Sequence, residues 1–288
     1  NATVSKEDGK TIIPGKSGVQ FDVEKAKEII GDGSQASYSI PVTITQPTIT
    51  EAVLRERLFR DTLARTATNL NEGNAPRTNN VRLAAKAING TILNPGDVFS
   101  YNTVVGERTQ ARGYQEAHAY SGGKIIDEFG GGVCQPSSTL YMAVLRADLE
   151  VVERHNHSFT VSYTPLGEDA TVDYGNLDFR FANNTAYPIK ILAEQTGGQM
   201  IMTIIGTKTS DKTVATRPEV LETYKPETVE KQDSSLAAGE TQVETSGITG
   251  YSTRTYKVIT ENGKTTEVLA NKSTYSKRDE VVCVGTGS

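Results

Sequence analysis

The chain has two cysteines, Cys134 and Cys283, and three histidines, His118, His155 and His157. Cys134 closes the run Gly130-Gly131-Gly132-Val133-Cys134-Gln135-Pro136, and the apolar spacing after Pro136, through Leu140 to Leu145, is helical. Proline is tolerated in a first helical turn because its missing N–H would be unpaired there anyway. A thiol at the mouth of a helix sits among unpaired N–H groups at the positive end of the dipole, which favours the thiolate and lowers its pKa below the free value of about 8.5. That is the setting of a nucleophile. The glycines let backbone approach a substrate closely, and the N–H groups around Gly132, Val133 and Cys134 are candidates to hold the oxyanion of an acyl-transfer intermediate. The bland alternative is a small buried filler in a tight loop-to-helix turn.

A cysteine acyltransferase needs a base, and imidazole suits that task near neutral pH. His118 precedes the glycine loop, whereas His155 and His157 follow the helix. A carboxylate would orient the imidazole and fix its tautomer, with Asp169 and Asp178 as candidates; either could equally be a turn cap. Arg154, Arg112 and Arg180 are candidates for a substrate carboxylate, because guanidinium forms bidentate pairs. Two cysteines and three histidines without ligand-like spacing argue against zinc, and no phosphate-binding glycine fingerprint is present, so no cofactor is expected. Cys283 lies in a strand-like stretch far from Cys134 and is expected to be structural, with no disulfide indicated between them.

The elements that must position these groups read as α+β. At 288 residues two or three units are expected, and 36% hydrophobic residues without tryptophan favour strands and loops over a helical bundle. Thirty basic against thirty-five acidic residues, with no basic block, argue against nucleic acid. No apolar run approaches the roughly 18 to 20 residues that span a bilayer, and no signal peptide begins the sequence, so any targeting or membrane segment is expected to lie outside it.

Val23 to Ile30 has helical apolar spacing, and Tyr38, Ile40, Val42 and Ile44 alternate as a strand. Thr78-Asn79-Asn80 reads as the cap of a helix through Ile88, closed by Asn89-Gly90. Phe159, Val161 and Tyr163 alternate with polar residues as a strand whose register, extended backward, puts His155 and His157 on the bulky side. Further strands are expected at Asp178 to Ala182, Ile189 to Ala193 and Met200 to Ile205. From about Thr213 the composition shifts to Glu, Lys and Thr with tyrosine-bearing strands such as Tyr251 to Thr260, an extended β module with a thin core.

Three resemblances follow. Gly18 to Asp22 and the Ile40-Pro41-Val42 strand resemble the end of a peptidoglycan-binding module, giving a partial unit at 1–48. Gly247-Ile248-Thr249-Gly250, Thr255 to Val258 and Asn262-Gly263 resemble a G5 domain, placed at 211–288 as a mainly β unit. Between them, at 49–210, Asn89-Gly90-Thr91, Asn94-Pro95-Gly96, Phe99-Ser100, Gly130 to Gln135, Ser138 to Tyr141, Glu153-Arg154, His157-Ser158, Gly167, Asp169 to Val172 and Asp178-Phe179 are together similar to a VanW domain. The family is named from vancomycin-resistance clusters, and some members with this cysteine motif are associated with L,D-transpeptidase activity on peptidoglycan.

The resemblance therefore implies a secreted or envelope-bound bacterial protein that acts on peptidoglycan stem peptides. Cys134 would be nucleophile, His157 base with His155 as the alternative, Asp169 the orienter, Gly132 and Val133 the oxyanion backbone, and Arg154 and Arg112 the substrate-binding cations. Better-known L,D-transpeptidases carry a Ser-His-Gly-Cys string that this chain lacks, so the same chemistry would sit on a distinct scaffold. The competing expectation is a non-catalytic wall-binding or adhesive protein, its modules docking glycan or peptide, with an incidental cysteine.

Overall fold

A computed structural model describes residues 1–121 and 124–287, with 118–121 and 124–127 described as backbone only. Its centre is a four-stranded antiparallel sheet in the order Asp61–Asn69, Gln199–Gly206, Ile189–Thr196, Ile92–Leu93. On the two middle strands Ile191 pairs with Ile204 and Ala193 with Met202, so one face carries a continuous buried apolar layer. Two helices, Ala75–Ile88 and Cys134–Arg146, cover that face. Val81, Ile88, Leu140 and Val144 are fully buried there, each stabilising by about 1.5–3 kcal/mol.

The helix from Cys134 is buried at every residue from Gln135 to Leu145, because the sheet lies on one side and the C-terminal β module on the other. Its polar residues are accommodated by bonding across the interface: Gln135 Nε2 donates to Thr68 Oγ1 (2.9 Å) and to the Asn69 carbonyl (2.8 Å). Thr66 Oγ1 donates to the Thr139 carbonyl (2.8 Å). These bonds fix the rotation of the helix about its axis. A second antiparallel sheet, Glu150–Glu153, Arg180–Ala182 and Val98–Ser100, flanks the helix, and Phe99 stacks on Phe181 with ring centroids 5.0 Å apart. Glu116–Ser121 and Lys124–Phe129 pair as a hairpin.

The C-terminal module has two three-stranded sheets. Thr213–Tyr224, Gly250–Glu261 and Lys264–Tyr275 form an antiparallel meander; in the other sheet Thr228–Ala237 runs parallel to Glu280–Gly287, which pairs antiparallel with Thr241–Thr245. Its buried residues include Thr253, Thr255, Ser273, Tyr275 and Cys283, so the core is as thin as its composition indicates. The module is tied to the central domain by polar contacts: Arg146 Nη2 donates to Glu168 Oε2 and Thr216 Oγ1, both at 2.8 Å, and Asp148 pairs with Lys212 and Lys257. At the other end, Ala2, Val4 and Ile12 pack with Ile49, Leu54, Ile92 and Tyr187, so the first residues belong physically to the central domain.

Three local expectations change. The helix that ends at Ile88 begins at Ala75, capped by Asn74 Oδ1 accepting from Arg77 N–H (3.1 Å), and not at Thr78-Asn79-Asn80. Asn80 is instead fully buried within it, donating Nδ2 to the carbonyls of Gln115 (2.8 Å) and Gly131 (3.0 Å). The N-terminal strand shortens to Thr43–Thr45, paired with Gly18–Gln20. The Phe159 to Tyr163 alternation forms no strand: the chain just before it is held by the Ser158 carbonyl accepting from Ser276 N–H (2.7 Å), and Pro165 and Gly167 turn it soon after.

Candidate active site

Cys134 is the first residue of its helix and is partly exposed. The turn that delivers it uses positive φ at Gly130 (+89°) and Gly132 (+102°), and a Cβ at Gly132 would stand 2.7 Å from Arg77 Cγ. Asn80 holds the Gly131 carbonyl from behind, and Tyr101 donates its hydroxyl to the Val133 carbonyl (2.7 Å). Glycine supplies the shape of the loop, and two buried side chains lock it.

His157 completes the arrangement. Its Nδ1 bonds Asp169 Oδ2 at 2.7 Å, which leaves the other ring nitrogen for the thiol, near enough for the two groups to shift each other's protonation; the thiol itself contacts Thr171 Oγ1 (3.6 Å), the Val172 carbonyl (3.6 Å) and Val172 N–H (3.5 Å). Asp169 is 1% exposed and also accepts from His157 N–H (2.7 Å), Arg154 Nη2 (3.0 Å) and Tyr275 Oη (2.5 Å). Burial pushes the Cys134 thiol up, but the hydrogen bond and charge of His157, then the Val172 and Thr171 contacts, pull it below the usual thiol value. Burial also disfavours charge on His157, yet its bonds to Asp169 and Cys134 raise it from 6.5 to about 9. Burial would raise Asp169 as well, but His157 and Arg154 hold it below the ordinary carboxylate range. All three shifts favour a thiolate beside an imidazolium backed by a carboxylate.

Of the anticipated residues, Cys134, His157 and Asp169 meet. His155 does not join them: its Nε2 lies 3.2 Å from Glu153 Oε1 and its backbone bridges Thr171. The His118 side chain lies outside the described residues. Val133 N–H is taken by the Gly130 carbonyl (3.1 Å), so the candidate oxyanion donors without a backbone partner among the described residues are the N–H groups of Gly132 and of Cys134 itself. Arg154 is engaged within the protein: it is 6% exposed in its side chain, spans Asp169 with Nε on the carbonyl (2.7 Å) and Nη2 on the carboxylate, and lies over the Tyr141 ring. Arg112 is exposed and bonds back through Nη1 to the Glu107 carbonyl of its own turn. Asp178 caps the Tyr101–Val105 helix, accepting from Asn102 N–H (2.9 Å) and Ser100 Oγ (2.5 Å).

Two other arginines lie against the cysteine loop, Arg77 at Gly132 and Arg108 at Gly130. Arg77 bonds Gln135 Oε1 (2.7 Å) and lies within the electrostatic reach of Cys134. Arg108 has all three guanidinium nitrogens buried without a hydrogen-bond partner among the described residues, its charge lying 5.6 Å from the Tyr101 ring centroid and 5.7 Å from that of Tyr174. Tyr174 also lines an open groove of about 430 Å³ with Asn102 and Asp178. Neither arginine announces itself in the sequence; the proximity of Arg108 to Gly130 is a property of the folded loop. Among the described residues no cluster of three His, Cys, Asp or Glu side chains is placed to hold a metal ion.

Comparison with known proteins finds two families along the chain. Residues 76–205 match the family model described as VanW like protein, and residues 215–287 match that of the G5 domain. The chain carries a VanW-like domain followed by a G5 domain. The VanW-like match encloses Cys134, His157 and Asp169, and the G5 match encloses Tyr275. The uncharacterized protein YoaR of Bacillus subtilis (strain 168) is 37% identical over 201 residues, which cover 68% of this chain and 66% of YoaR. The vancomycin B-type resistance protein VanW of Enterococcus faecalis (strain ATCC 700802 / V583) is 32% identical over 111 residues, 37% of this chain and 40% of VanW. The chain thus spans just under two thirds of the first relative and well under half of the second. The IgA1 protease G5 domain structure matches with 17% identity and a TM-score of 0.20, covering 28% of this chain and 98% of that one. For the crystal structure of HP0197-G5 the identity is 19% and the TM-score 0.17, with 26% and 100% covered.

Proposed function

We propose that this protein is a cysteine L,D-transpeptidase acting on bacterial peptidoglycan in the cell envelope or outside the cell. The observation that carries the proposal is the convergence of Cys134, His157 and Asp169 at a helix N-terminus, with charges tuned toward a thiolate and imidazolium. The implied substrate class comes from the VanW resemblance and from the resistance function in the name of the E. faecalis relative. A role in vancomycin resistance belongs to the same proposal.

In this reading the Cys134 thiolate attacks the carbonyl carbon of the third residue of a tetrapeptide stem. The oxyanion lies against the Gly132 and Cys134 N–H groups. The His157 imidazolium gives its proton to the nitrogen of the terminal D-alanine as the C–N bond breaks, leaving a thioester on Cys134 and a neutral imidazole. An amine of a neighbouring stem then attacks the thioester and passes a proton to His157, and the thiolate leaves. Water in place of the amine gives a carboxypeptidase outcome. Arg108, whose guanidinium has no hydrogen-bond partner among the described residues, is the group suited to a substrate carboxylate. No cofactor enters these steps. The segment Gly18–Thr45, whose Val19, Phe21, Val42 and Ile44 are exposed, is read as part of a peptidoglycan-binding module.

The test is incubation of the protein, and of a Cys134→Ala variant, with tetrapeptide-stem muropeptides, followed by mass spectrometry. Cross-linked dimers and released D-alanine from the wild type alone support the proposal. No product from either folded protein with the correct stem would move the function to wall binding or adhesion.

A further inference from the structure

The triad's acid is not held by the VanW-like domain alone. Tyr275, on the last strand of the G5 meander and 1% exposed, donates its hydroxyl to Asp169 Oδ1 (2.5 Å) and accepts from Gly167 N–H (2.7 Å). Ser273 Oγ accepts from Arg154 Nη1 (2.8 Å), the arginine that clamps Asp169. Asn271 donates to the Gly167 carbonyl (2.9 Å) and to Tyr141 Oη (2.7 Å), and its own Oδ1 accepts from Ser273 Oγ (3.0 Å). Residues 271, 273 and 275 are two apart on one strand, so the pleat delivers all three to one face. The strand end is also fastened to the histidine segment, since Asn156 Nδ2 donates to the Thr274 carbonyl (2.8 Å) and Ser276 N–H to the Ser158 carbonyl (2.7 Å). The Gly167 turn lies so close to Thr255 of the same sheet that a Cβ there would strike its hydroxyl.

We propose that the G5 domain is a structural component of the catalytic apparatus, with Tyr275 as a positioning residue that, backed by Ser273 and Asn271, fixes Asp169 against His157. The inference rests on the cysteine chemistry proposed above. A module that only adhered to the wall would have no need to place three alternate side chains in the buried shell of the acid. Without the Tyr275 hydroxyl, Oδ1 keeps only Arg154, and Gly167 N–H loses its acceptor. The 167–169 turn is then released, and with it the alignment of Oδ2 on His157 Nδ1. Losing one donor also leaves more charge on the carboxylate, which acts in the opposite sense and is outweighed by the release of the turn.

The experiment is the pH dependence of iodoacetamide alkylation at the Cys134 peptide, read by mass spectrometry in the full chain, for wild type and Tyr275→Phe. Muropeptide turnover is measured on the same samples. The expected result is an alkylation profile displaced upward by about one pH unit, a tenfold loss of thiolate at a given acidic pH, with kcat reduced on the order of tenfold and KM nearly unchanged. An unchanged profile, or one displaced to lower pH, in a folded variant overturns the inference. If Tyr275→Phe fails to fold, Ser273→Ala decides by the same readout: an upward shift supports the inference and an unchanged profile overturns it. A wild-type Cys134 that titrates as an ordinary thiol removes the nucleophile itself, an outcome distinct from a low wild-type profile that the variant leaves unmoved.

Discussion

Asp169→Asn gives the sharpest test of the charge arrangement. The carboxylate receives four donors on two oxygens, His157 Nδ1 and N–H on Oδ2, Arg154 and Tyr275 on Oδ1, at 1% exposure. An asparagine amide has a single acceptor oxygen, and its NH₂ must then face one of those donor pairs. The bond to Asp169 is the largest of the contributions that raise His157 to about 9 against the opposing cost of burial. Loss of that bond and its charge should lower the imidazolium pKa by at least about one unit, or about 1.4 kcal/mol. Arg154, 6% exposed, simultaneously becomes a buried cation without its anion, which costs about 3–5 kcal/mol. At about 2–4 °C per kcal/mol, even about 3 kcal/mol corresponds to a melting temperature lower by about 6–12 °C. The assay is an NMR titration of the His157 ring in wild type and variant, paired with thermal unfolding by circular dichroism. The wild-type ring should remain protonated past neutrality and the variant ring should lose its proton earlier. A folded variant whose ring titrates with the wild type would refute the assignment of Asp169 as the group that holds the imidazolium.

Three other perturbations separate residues in the site from those beside it. His155→Ala should retain near wild-type turnover and alkylation, because His155 pairs with Glu153 and not with the thiol; a large loss of turnover with an intact fold would reinstate it as the base. Gly132→Ala places a Cβ at φ +102° and 2.7 Å from Arg77 Cγ, so urea titration should show about 1–3 kcal/mol lost; unchanged stability would mean that the loop is not held as described. Arg108→Gln should raise KM for muropeptides by on the order of tenfold with kcat little altered, the signature of a lost carboxylate contact; equal KM values would place the substrate elsewhere.

The place of Cys134 at a helix start was legible from sequence because its setting is local. Glycines, Cys134, Pro136 and helical spacing lie within a few residues of one another, and together they dictate a turn into a helix. The partners were legible only through the resemblance: nothing in the spacing of His157 and Asp169 separates them from His155 and Asp178, which occupy neighbouring turns and do other work. Periodicity misled at Phe159 to Tyr163, where alternation is real but the residues just before it, His157 and Ser158, are tied to Asp169 and to Ser276 of the G5 domain, and the stretch forms no strand.

The roles of the charged groups were decided by tertiary structure. Arg154 and Arg108 are indistinguishable as sequence, yet one is spent on Asp169 and Ser273 while the other is buried without a hydrogen-bond partner among the described residues. Tyr275 is 106 residues from Asp169 and in a different domain. Short-range patterns report the shape of a turn, a helix or a strand, because those depend on neighbouring dihedrals and side chains. Whether a charge is free, paired or tuned depends on what surrounds it when water is excluded, and in this protein those surroundings come from strands far away along the chain.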